Sequence, residues 1–217
     1  MKYPKIKICD VRSPEIAKFC LENSVDFIGL HQIFTPITEE KITLFKSIKK
    51  ESGTMPIVLV TKIDDIEELT HIICAVPFDY VQLHFNTTVG FVKELKQRVR
   101  KEANRDVGVI AVFQADKCDF LLAQQMGEVA DYLLFDSFIR GGTGCTVSDD
   151  AIAQIVKYCS HLDYFIAGGL NPENVQLTIS KSHPFAVDVQ SGVEREKHIK
   201  DTEKIRAFVD AVHTSLE

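Results

Sequence analysis

Short apolar runs alternate along the whole chain with longer segments in which apolar residues recur at helical spacing. The short runs predict eight strands, at residues 5–11, 26–31, 56–61, 79–84, 107–113, 132–136, 164–167 and 186–189. The longer segments predict eight helices, at residues 14–23, 39–50, 65–76, 89–103, 117–129, 149–158, 173–180 and 202–212. Because the strands show little polar alternation, they fit a parallel sheet covered on both faces. Strict strand–helix order predicts an α/β protein, either an open doubly wound sheet or a closed (β/α)8 barrel.

Local start signals and chain length sharpen this prediction. Ser13 stands directly before Pro14, and Asp201 precedes the last helical segment, so both fit the cap position of a helix N-terminus. Four apolar residues of the last helix fall on one face, namely Ile205, Phe208, Val209 and Val212. Eight units in 217 residues give about 27 residues each, which favours a barrel of minimal size. No linker or change in composition marks a second domain, so residues 1–217 are expected to form a single (β/α)8 barrel.

Composition and charge exclude several classes of function. Acidic residues outnumber basic ones, 31 to 25, so the chain lacks the excess of cations that a nucleic-acid binder needs. The basic run at 96–101 fits the solvated end of a helix. No stretch approaches the ~18 apolar residues of a membrane span, and the first residues do not form a signal peptide, so we expect a cytoplasmic protein without a membrane partner. Six scattered cysteines without a Cys-x-x-Cys pair are expected to be free thiols, mostly in the core.

In a (β/α)8 barrel the active site lies at the carboxyl ends of the strands and in the loops that follow them. The loops after the seventh and eighth predicted strands carry Gly168 and Gly169, and Ser191 and Gly192. Glycines at these positions let backbone N–H groups converge on an anion, and these two loops are the usual phosphate site of such barrels. The pattern predicts a phosphorylated small molecule as ligand; the alternative is that the glycines serve tight turns alone.

Two residues at strand ends are candidates for proton transfer. Cys9 follows the first apolar run and Asp136 ends the sixth, so in a barrel both side chains can point into its mouth. A thiol and a carboxyl group act as general base and general acid when their surroundings separate their pKa values. A cysteine beside a strand is also commonly an inert core thiol, and periodicity alone does not distinguish these two interpretations for Cys9.

Two other features carry weaker signals. The glycine-rich loop at 141–144, which includes Gly142, lacks the Lys-Ser/Thr ending of a P-loop, so it fits an anion-contacting active-site loop or a plain flexible loop. His31 and His84 lie at strand ends without a third ligand at metal-type spacing. Roles in hydrogen bonding or packing are therefore favoured over a metal site, and no metal is expected.

Several segments together resemble the phosphoribosylanthranilate isomerase family of tryptophan biosynthesis, in the same order along nearly the whole chain. They are residues 7–9 (Lys-Ile-Cys), 81–84 (Val-Gln-Leu-His), 134–137 (Leu-Phe-Asp-Ser) with the loop at 141–144, 167–175 (Ala-Gly-Gly-Leu-Asn-Pro-Glu-Asn-Val) and 187–194 (Val-Asp-Val-Gln-Ser-Gly-Val-Glu). The last two segments are the most specific.

The resemblance implies a (β/α)8 barrel that catalyses an Amadori rearrangement of a phosphoribosyl amine to a 1-amino-1-deoxyribulose phosphate, without metal or organic cofactor. It implies that Asp136 protonates the furanose ring oxygen and that Cys9 removes the proton from sugar C2. The remaining residues that it assigns to the substrate and its phosphate are Gln82, His84, Gly142, Gly168, Gly169, Ser191 and Gly192. The expected partner is a phosphorylated small molecule, and the expected assembly is a monomer or homodimer.

The chain departs from the family pattern on the side that would hold the aromatic acid. Asp10 replaces the usual glycine after the cysteine, Phe85 replaces a glycine after the Gln-Leu-His motif, and residues 31–38 lack the usual arginine. The segment at 145–149 lacks the usual Lys, Phe and Trp.

Two hypotheses follow from these departures. One is a working isomerase in which Arg12 or Arg140 replaces the missing arginine. The other is a diverged paralogue that acts on, or only binds, a different phosphosugar. The working isomerase is the main expectation. The added carboxylate of Asp10 keeps the second hypothesis open, because a negative charge beside an anionic substrate opposes its binding.

Overall fold

Eight parallel strands close into a barrel in a computed structural model that describes residues 3–34, 36–137 and 146–215. The strands are β1 (Lys5–Ile8), β2 (Phe27–Gln32), β3 (Ile57–Thr61), β4 (Tyr80–Leu83), β5 (Gly108–Gln114), β6 (Tyr132–Asp136), β7 (Tyr164–Ala167) and β8 (Ala186–Val189). Each strand pairs with the next along the chain, and β8 pairs with β1 to close the ring. The closed barrel confirms the predicted (β/α)8 fold class and excludes the open sheet.

A helix follows each strand and packs on the outside of the barrel. The helices are α1 (Pro14–Glu22), α2 (Glu39–Glu51), α3 (Ile66–Ala75), α4 (Val89–Ala103), α5 (Phe120–Gly127), α6 (Asp149–Cys159), α7 (Val175–Ser182) and α8 (Thr202–His213). Both predicted caps are confirmed, since Ser13 accepts a hydrogen bond from the amide of Ile16 and Asp201 accepts from two amides of α8. The apolar face predicted for α8 is buried.

Among the helices of the described residues, none combines the length and apolar character that a membrane crossing requires.

The barrel interior is filled in layers because side chains alternate between the two faces of each strand. Five aromatic rings contact one another edge-on or stacked at the amino end of the barrel, namely Phe27, Tyr80, Tyr132, Phe165 and Phe185. Lys7, the register partner of Phe27, and Asp188 also have their side chains inside the barrel. Nearer the open end, Cys9, His31 and Asp136 line a cavity. The interior therefore has a closed apolar floor and a polar mouth.

An acidic residue stands directly before each of three even-numbered strands and accepts the amide hydrogen bond of the preceding strand. Asp26 accepts from the amide of Ile6, and the other two pairs, at 2.7–2.8 Å, are Asp79 with Ile57 and Asp131 with Val109. Each carboxylate also pairs with a lysine, Lys5, Lys49 or Lys96 respectively. These contacts stabilise the amino end of the barrel and leave the opposite end to chemistry.

Some sequence-based boundaries differ from the structure. The first strand was expected to reach residue 11 but ends at Ile8, because Asp10 has a φ of 60°, which no strand accommodates. A small antiparallel pair, β9 (Glu194–Glu196) and β10 (Ile199–Lys200), inserts after β8 and was not predicted. Its charged sequence shows no alternation of apolar and polar residues.

The cysteines follow the expectation of core thiols only in part. Cys9, Cys20 and Cys159 are buried free thiols, and Cys118 is partly buried. Cys74 is exposed on α3, so the expectation was wrong for this residue. Cys145 lies outside the described residues.

Candidate active site

A cavity of about 390 Å³ opens at the carboxyl ends of the strands, where a (β/α)8 barrel places its chemistry. Seven residues that the sequence indicated line it together: Cys9, Gln82, His84, Asp136, Gly168, Gly169 and Ser191. They come from five strands or strand-following loops, those of β1, β4, β6, β7 and β8. The closed barrel thus brings the predicted groups to one site. Arg140 and Gly142, also indicated by the sequence, lie outside the described residues.

The glycines after β7 allow a close approach of backbone to the acid at the end of β6. Gly168 has a φ of 93° and Gly169 a φ of 63°, conformations that favour glycine. A Cβ atom on Gly168 would lie 2.1 Å from Oγ of Ser137 and 2.8 Å from Oδ1 of Asp136. The amides of Gly169 and Ser191 form no hydrogen bond with another residue in the described part of the chain. These N–H groups therefore remain available to a ligand anion.

Gly192 is needed where the β7 and β8 loops meet. A Cβ atom there would lie 2.0 Å from the carbonyl oxygen of Leu170, so no larger residue fits without moving the backbone. Gly192 does not itself line the cavity, but it sets the position of Ser191, which does. The tight-packing and anion-binding interpretations of these glycines are thus compatible.

Cys9 directly follows β1 and has its thiol inside the barrel. Its Sγ lies 3.1 Å from Nε2 of His31, which projects from the neighbouring strand β2. Gly29, two residues before His31, makes room for this pair, since a Cβ atom there would lie 3.1 Å from the sulfur. Burial raises the pKa of the Cys9 thiol to about 12, although the nearby Lys7 ammonium favours the thiolate and lowers this pKa. The resting thiol is therefore protonated at neutral pH.

A buried ion pair lies beneath the thiol. Nζ of Lys7 donates to Oδ2 of Asp188 at 2.6 Å, and both side chains are almost fully buried. Burial opposes the charge of the lysine, but the charges and hydrogen bonds of Asp188 and Cys9 together outweigh it and raise the pKa of Lys7, so the ammonium is retained. The other carboxylate oxygen, Oδ1 of Asp188, has no hydrogen-bond partner among the described residues. It borders the cavity and is available to a polar ligand.

Asp136 is the acidic group that the cavity shares with Cys9. It ends β6 and is partly exposed to the cavity, beside the backbone turn of Gly168. Its charge raises the pKa of Asp188, after the larger effect of burial, so the two carboxyl groups are close enough to interact. The cavity thus places the thiol of Cys9 and the carboxyl group of Asp136 around a common volume, with Asp188 also on its wall, an arrangement suited to acid–base catalysis.

Lys62, which follows β3, adds a cation to the cavity wall. It is exposed there and forms no ion pair with the residues that the structure describes. Burial lowers the pKa of His84 to about 4, and the Lys62 charge contributes to the same effect, so His84 is neutral at physiological pH. The cavity therefore offers an unpaired ammonium and a neutral imidazole on the side of β3 and β4.

Asp10 and Arg12 do not reach this cavity. Arg12 donates from Nε to Oδ1 of Asp10 at 2.9 Å, and Nδ1 of His198 lies 2.6 Å from Oδ2 of the same carboxylate. The guanidinium and the added carboxylate line neighbouring surface cavities instead. The expectation that Asp10 would repel an anionic substrate from within the site does not fit this geometry, because its charge is held by Arg12 outside the cavity.

Three side chains of the types that bind metal ions come together near the contact of Asp10 with Arg12. The positively charged guanidinium of Arg12 already lies among them. Asp10, Glu194 and His198 place their ligand atoms within 4.8 Å of one another, the one such group among the described residues. The Arg12 guanidinium bonds to Asp10 and lies 2.9 Å from Nδ1 of His198. A fixed positive charge there disfavours a metal ion.

Sequence reasoning missed several groups in the site. Lys7 and Asp188 lie in runs that the sequence pattern predicts only as apolar strands. The pattern also gives no indication that Lys62 and Gln190 line the site. The alternation of side chains along a strand does indicate Lys7, because residues two apart share a face and Lys7 is therefore on the same face as Cys9. A charged residue on the inward face of a barrel strand indicates a partner or a function.

The fold and site define a class, namely a (β/α)8-barrel protein with a thiol and a carboxyl group at a cavity edged by glycine loops suited to an anion. The model of one family, described as N-(5'-phosphoribosyl)anthranilate (PRA) isomerase, matches residues 6–211. The chain belongs to this family.

Individual relatives agree with this assignment. The N-(5'-phosphoribosyl)anthranilate isomerase of Aquifex aeolicus is 30% identical over 214 residues, covering 94% of this chain and 96% of the relative. The crystal structure of the isomerase from Thermotoga maritima has a TM-score of 0.78 at 26% identity, covering 97% and 98% of the two chains. A structure of the isomerase in complex with reduced 1-(o-carboxyphenylamino)-1-deoxyribulose 5-phosphate has a TM-score of 0.75 at 24% identity, covers 97% and 98%, and shares the fold.

Proposed function

We propose that this chain catalyses the isomerisation of N-(5'-phosphoribosyl)anthranilate, an Amadori rearrangement in tryptophan biosynthesis. One observation carries the proposal beyond family membership: Cys9 and Asp136 line one cavity, beside the glycine loops after β7 and β8. These are the groups that the reaction needs for proton transfer and for binding of a sugar phosphate.

The two ionisable groups have complementary tasks. Asp136 gives a proton to the furanose ring oxygen, the ring opens, and the positive charge resides on an iminium at C1. Cys9, as thiolate, removes the proton from C2, whose acidity the iminium increases. The electron pair of the C–H bond forms the enolamine, which becomes the ketone when C1 is protonated and the C2 hydroxyl loses its proton. The Asp136 carboxylate is the base available for that last proton, which restores its acid form.

The phosphate belongs at the β7 and β8 loops. Gly168 and Gly169 have positive φ, so their peptide groups turn toward the cavity without Cβ atoms in the way. The free amides of Gly169 and Ser191 supply hydrogen-bond donors to phosphate oxygens. These donors support binding of a dianion through backbone contacts rather than through an arginine.

Lys62 is the group that we assign to the carboxylate of the aromatic acid. It lines the cavity wall and has no ion-pair partner among the described residues, whereas Arg12 is engaged with Asp10 outside the cavity. An ammonium attracts a carboxylate as a point charge, although it lacks the two-pronged geometry of the arginine that the family pattern has after the second strand.

The sugar hydroxyls have partners in the cavity wall. Oδ1 of Asp188 and Oε1 of Gln82 are both buried without a hydrogen bond to any described residue. A buried acceptor without a partner is unfavourable, and a hydroxyl donor from an open-chain sugar relieves that cost. The polyol part of the substrate is therefore placed between the phosphate loops and β4.

Growth tests the proposal. Expression of this chain is expected to restore growth without tryptophan in a strain that lacks the isomerase, and the purified protein is expected to convert phosphoribosylanthranilate. A folded protein that is inactive in both tests but binds other pentose phosphates would instead support the diverged paralogue.

We expect a cytoplasmic location, in line with the free thiols. We expect either a monomer or a homodimer, which light scattering distinguishes.

A further inference from the structure

The Cys9 thiol stands at one end of a row of three ionisable side chains. Its Sγ lies 3.1 Å from Nε2 of His31, and Nδ1 of the same imidazole lies 3.6 Å from Oδ1 of Asp10. The order is thiol, imidazole, carboxylate. A reactive group beside an imidazole that a third group orients is the arrangement by which proteins activate weak nucleophiles and bases.

The carboxylate end of the row is fixed by strained backbone and strong contacts. Asp10 has a φ of 60°, in the left-handed region that residues other than glycine rarely adopt, and it is 1% exposed. Arg12 and His198 bind its two oxygens at 2.9 and 2.6 Å. Strain that the surroundings maintain is concentrated at functional positions, and here it directs the carboxylate to the far side of His31.

We propose that Nε2 of His31 accepts the proton of the Cys9 thiol, and that Asp10 holds the imidazole with its hydrogen on Nδ1. His31 is thus a positioning residue, because its effect on a substrate passes through the sulfur of Cys9. The identity of the carbon acid rests on the proposed function, but the behaviour of the thiol is measurable without any substrate.

The proton balance closes within the site. The S–H bond of Cys9 breaks and an N–H bond forms on His31, which gives a thiolate and an imidazolium with no change in net charge. The thiolate then takes the C2 proton, and the electron pair of the broken C–H bond enters the C1–C2 bond and neutralises the iminium. When the sulfur delivers this proton to C1, the thiolate returns and His31 gives its proton back.

The surroundings explain why the thiol needs a nearby acceptor. Burial raises the pKa of Cys9 to about 12 and lowers that of His31 to about 4, so both are neutral at rest. A transfer inside the pair creates no net charge in the buried site, whereas loss of the thiol proton to water does. The charged groups that act on the pair are Lys7, Asp10, Arg12, Asp188 and Lys200. Lys7 is also in hydrogen-bond contact with Cys9, but its ammonium already carries its proton, so the neutral Nε2 of His31 is the nitrogen that can accept one.

Alkylation of the thiol tests this proposal directly. The full-length protein is treated with iodoacetamide at pH values from about 5 to 9, and modification of the Cys9 peptide is followed by mass spectrometry, which separates it from the exposed Cys74. An internal ion pair has a population independent of pH between the two pKa values. The wild-type rate is therefore expected to be nearly constant over this range.

The variants separate the proposed relay from a structural role. In H31Q the Cys9 rate is expected to rise about tenfold per pH unit and to be at least about tenfold lower than wild type at pH 7. D10G removes the carboxylate, and because glycine adopts positive φ without strain, the variant is expected to fold. Its pH-independent alkylation rate is expected to be about three- to tenfold lower than that of wild type. H71Q, at an exposed position on α3, is the matched control and is expected to behave as wild type.

Each result is decisive. A Cys9 rate that is independent of His31, or a wild-type rate that rises tenfold per pH unit, would overturn the relay even if the enzyme turns over its substrate. If the plateau depends on His31 but phosphoribosylanthranilate is not converted, the relay stands and the proposed function fails. In an active enzyme, H31Q is expected to lower kcat with little change in KM and to shift the pH profile upward.

Discussion

The ammonium of Lys7 lies 2.6 Å from the carboxylate of Asp188, in the middle of the barrel and directly beneath the thiol of Cys9. The two residues face each other in register on β1 and β8, so the pair spans the strand contact that closes the ring. Its position between the aromatic floor and the cavity means that it supports the site while it holds the barrel together.

Removing one member of this pair is expected to destabilise the protein severely. K7M leaves the Asp188 carboxylate buried without its partner, which costs about 3–5 kcal/mol of the free energy of unfolding. Urea denaturation measures the loss. The double variant K7M/D188L removes both charges and is expected to recover most of it. A K7M protein as stable as wild type would contradict the interpretation of Lys7 as a buried ion-pair partner.

The two assigned catalytic groups are expected to be indispensable for turnover but not for folding. C9S and D136N each conserve shape and remove the required acid–base group, so kcat is expected to fall by at least about a hundredfold. Binding of inorganic phosphate, followed by calorimetry, is expected to remain close to wild type, since the phosphate loops are unchanged. Wild-type turnover in either variant would refute the corresponding role.

The turn at Gly168 is expected to control the acid. In G168A the new Cβ collides with Ser137 and with the Asp136 carboxyl group, so a loss of about 1–3 kcal/mol in stability and at least about tenfold in kcat is expected. G90A is the control, because a Cβ there meets nothing nearer than 3.8 Å and alanine favours the helix. Urea unfolding and kinetics are measured on both, and equal effects would contradict the steric argument.

Lys62 is expected to act on substrate binding rather than on the chemical step. K62Q removes the cation assigned to the aromatic carboxylate, so KM is expected to rise about tenfold with kcat within about threefold of wild type. K46Q, at an exposed position on α2, is expected to leave both constants unchanged. A lowered kcat at constant KM in K62Q would place this lysine with the proton-transfer groups instead.

The neutral histidine at the end of β4 is expected to make the protein sensitive to acid. His84 has a pKa of about 4 when folded but 6.5 when unfolded, so the unfolded chain binds more protons between these values. The stability that His84 contributes is present at pH 7 and is lost as the pH falls through this window. Between pH 7 and 5, wild type is expected to lose on the order of 1–2 kcal/mol more than H84Q in urea unfolding.

Another histidine substitution separates this effect from general acid instability. H71Q removes an exposed imidazole on α3 and is expected to follow wild type. If H84Q and wild type lose stability equally on acidification, the neutral state of buried His84 is not the cause.

The repeating architecture was predictable because each element carries a local signal. The caps at Ser13 and Asp201 and the apolar face of α8 depend on neighbouring residues along the chain, and all were found as expected. The β9–β10 insertion was not predicted because a buried ion pair stabilises it. This pair joins Lys200 to Glu194, six residues apart in a run of charged residues. Nothing in the pattern of that run distinguishes a buried lysine from a solvated one.

The candidate site was predictable at the level of which loops carry it, but not of how its side chains pair. The sequence alone suggested that Asp10 faces the substrate, whereas its positive φ directs the carboxylate to Arg12 and His198. Backbone conformation of a single non-glycine residue is not encoded in periodicity. The contact of Cys9 with His31 follows from the pairing of β1 with β2, which becomes visible only when barrel register is known.

The contact between the first and last strands has a consequence for how the protein is made. Lys7 and Asp188 are 181 residues apart, so their meeting requires the largest loop closure that the barrel strands allow. During synthesis the thiol on β1 therefore emerges long before the strand that completes its surroundings. The site is complete only when β8 is in place, because Asp188 and Ser191, which line the cavity, come from this strand and the loop after it.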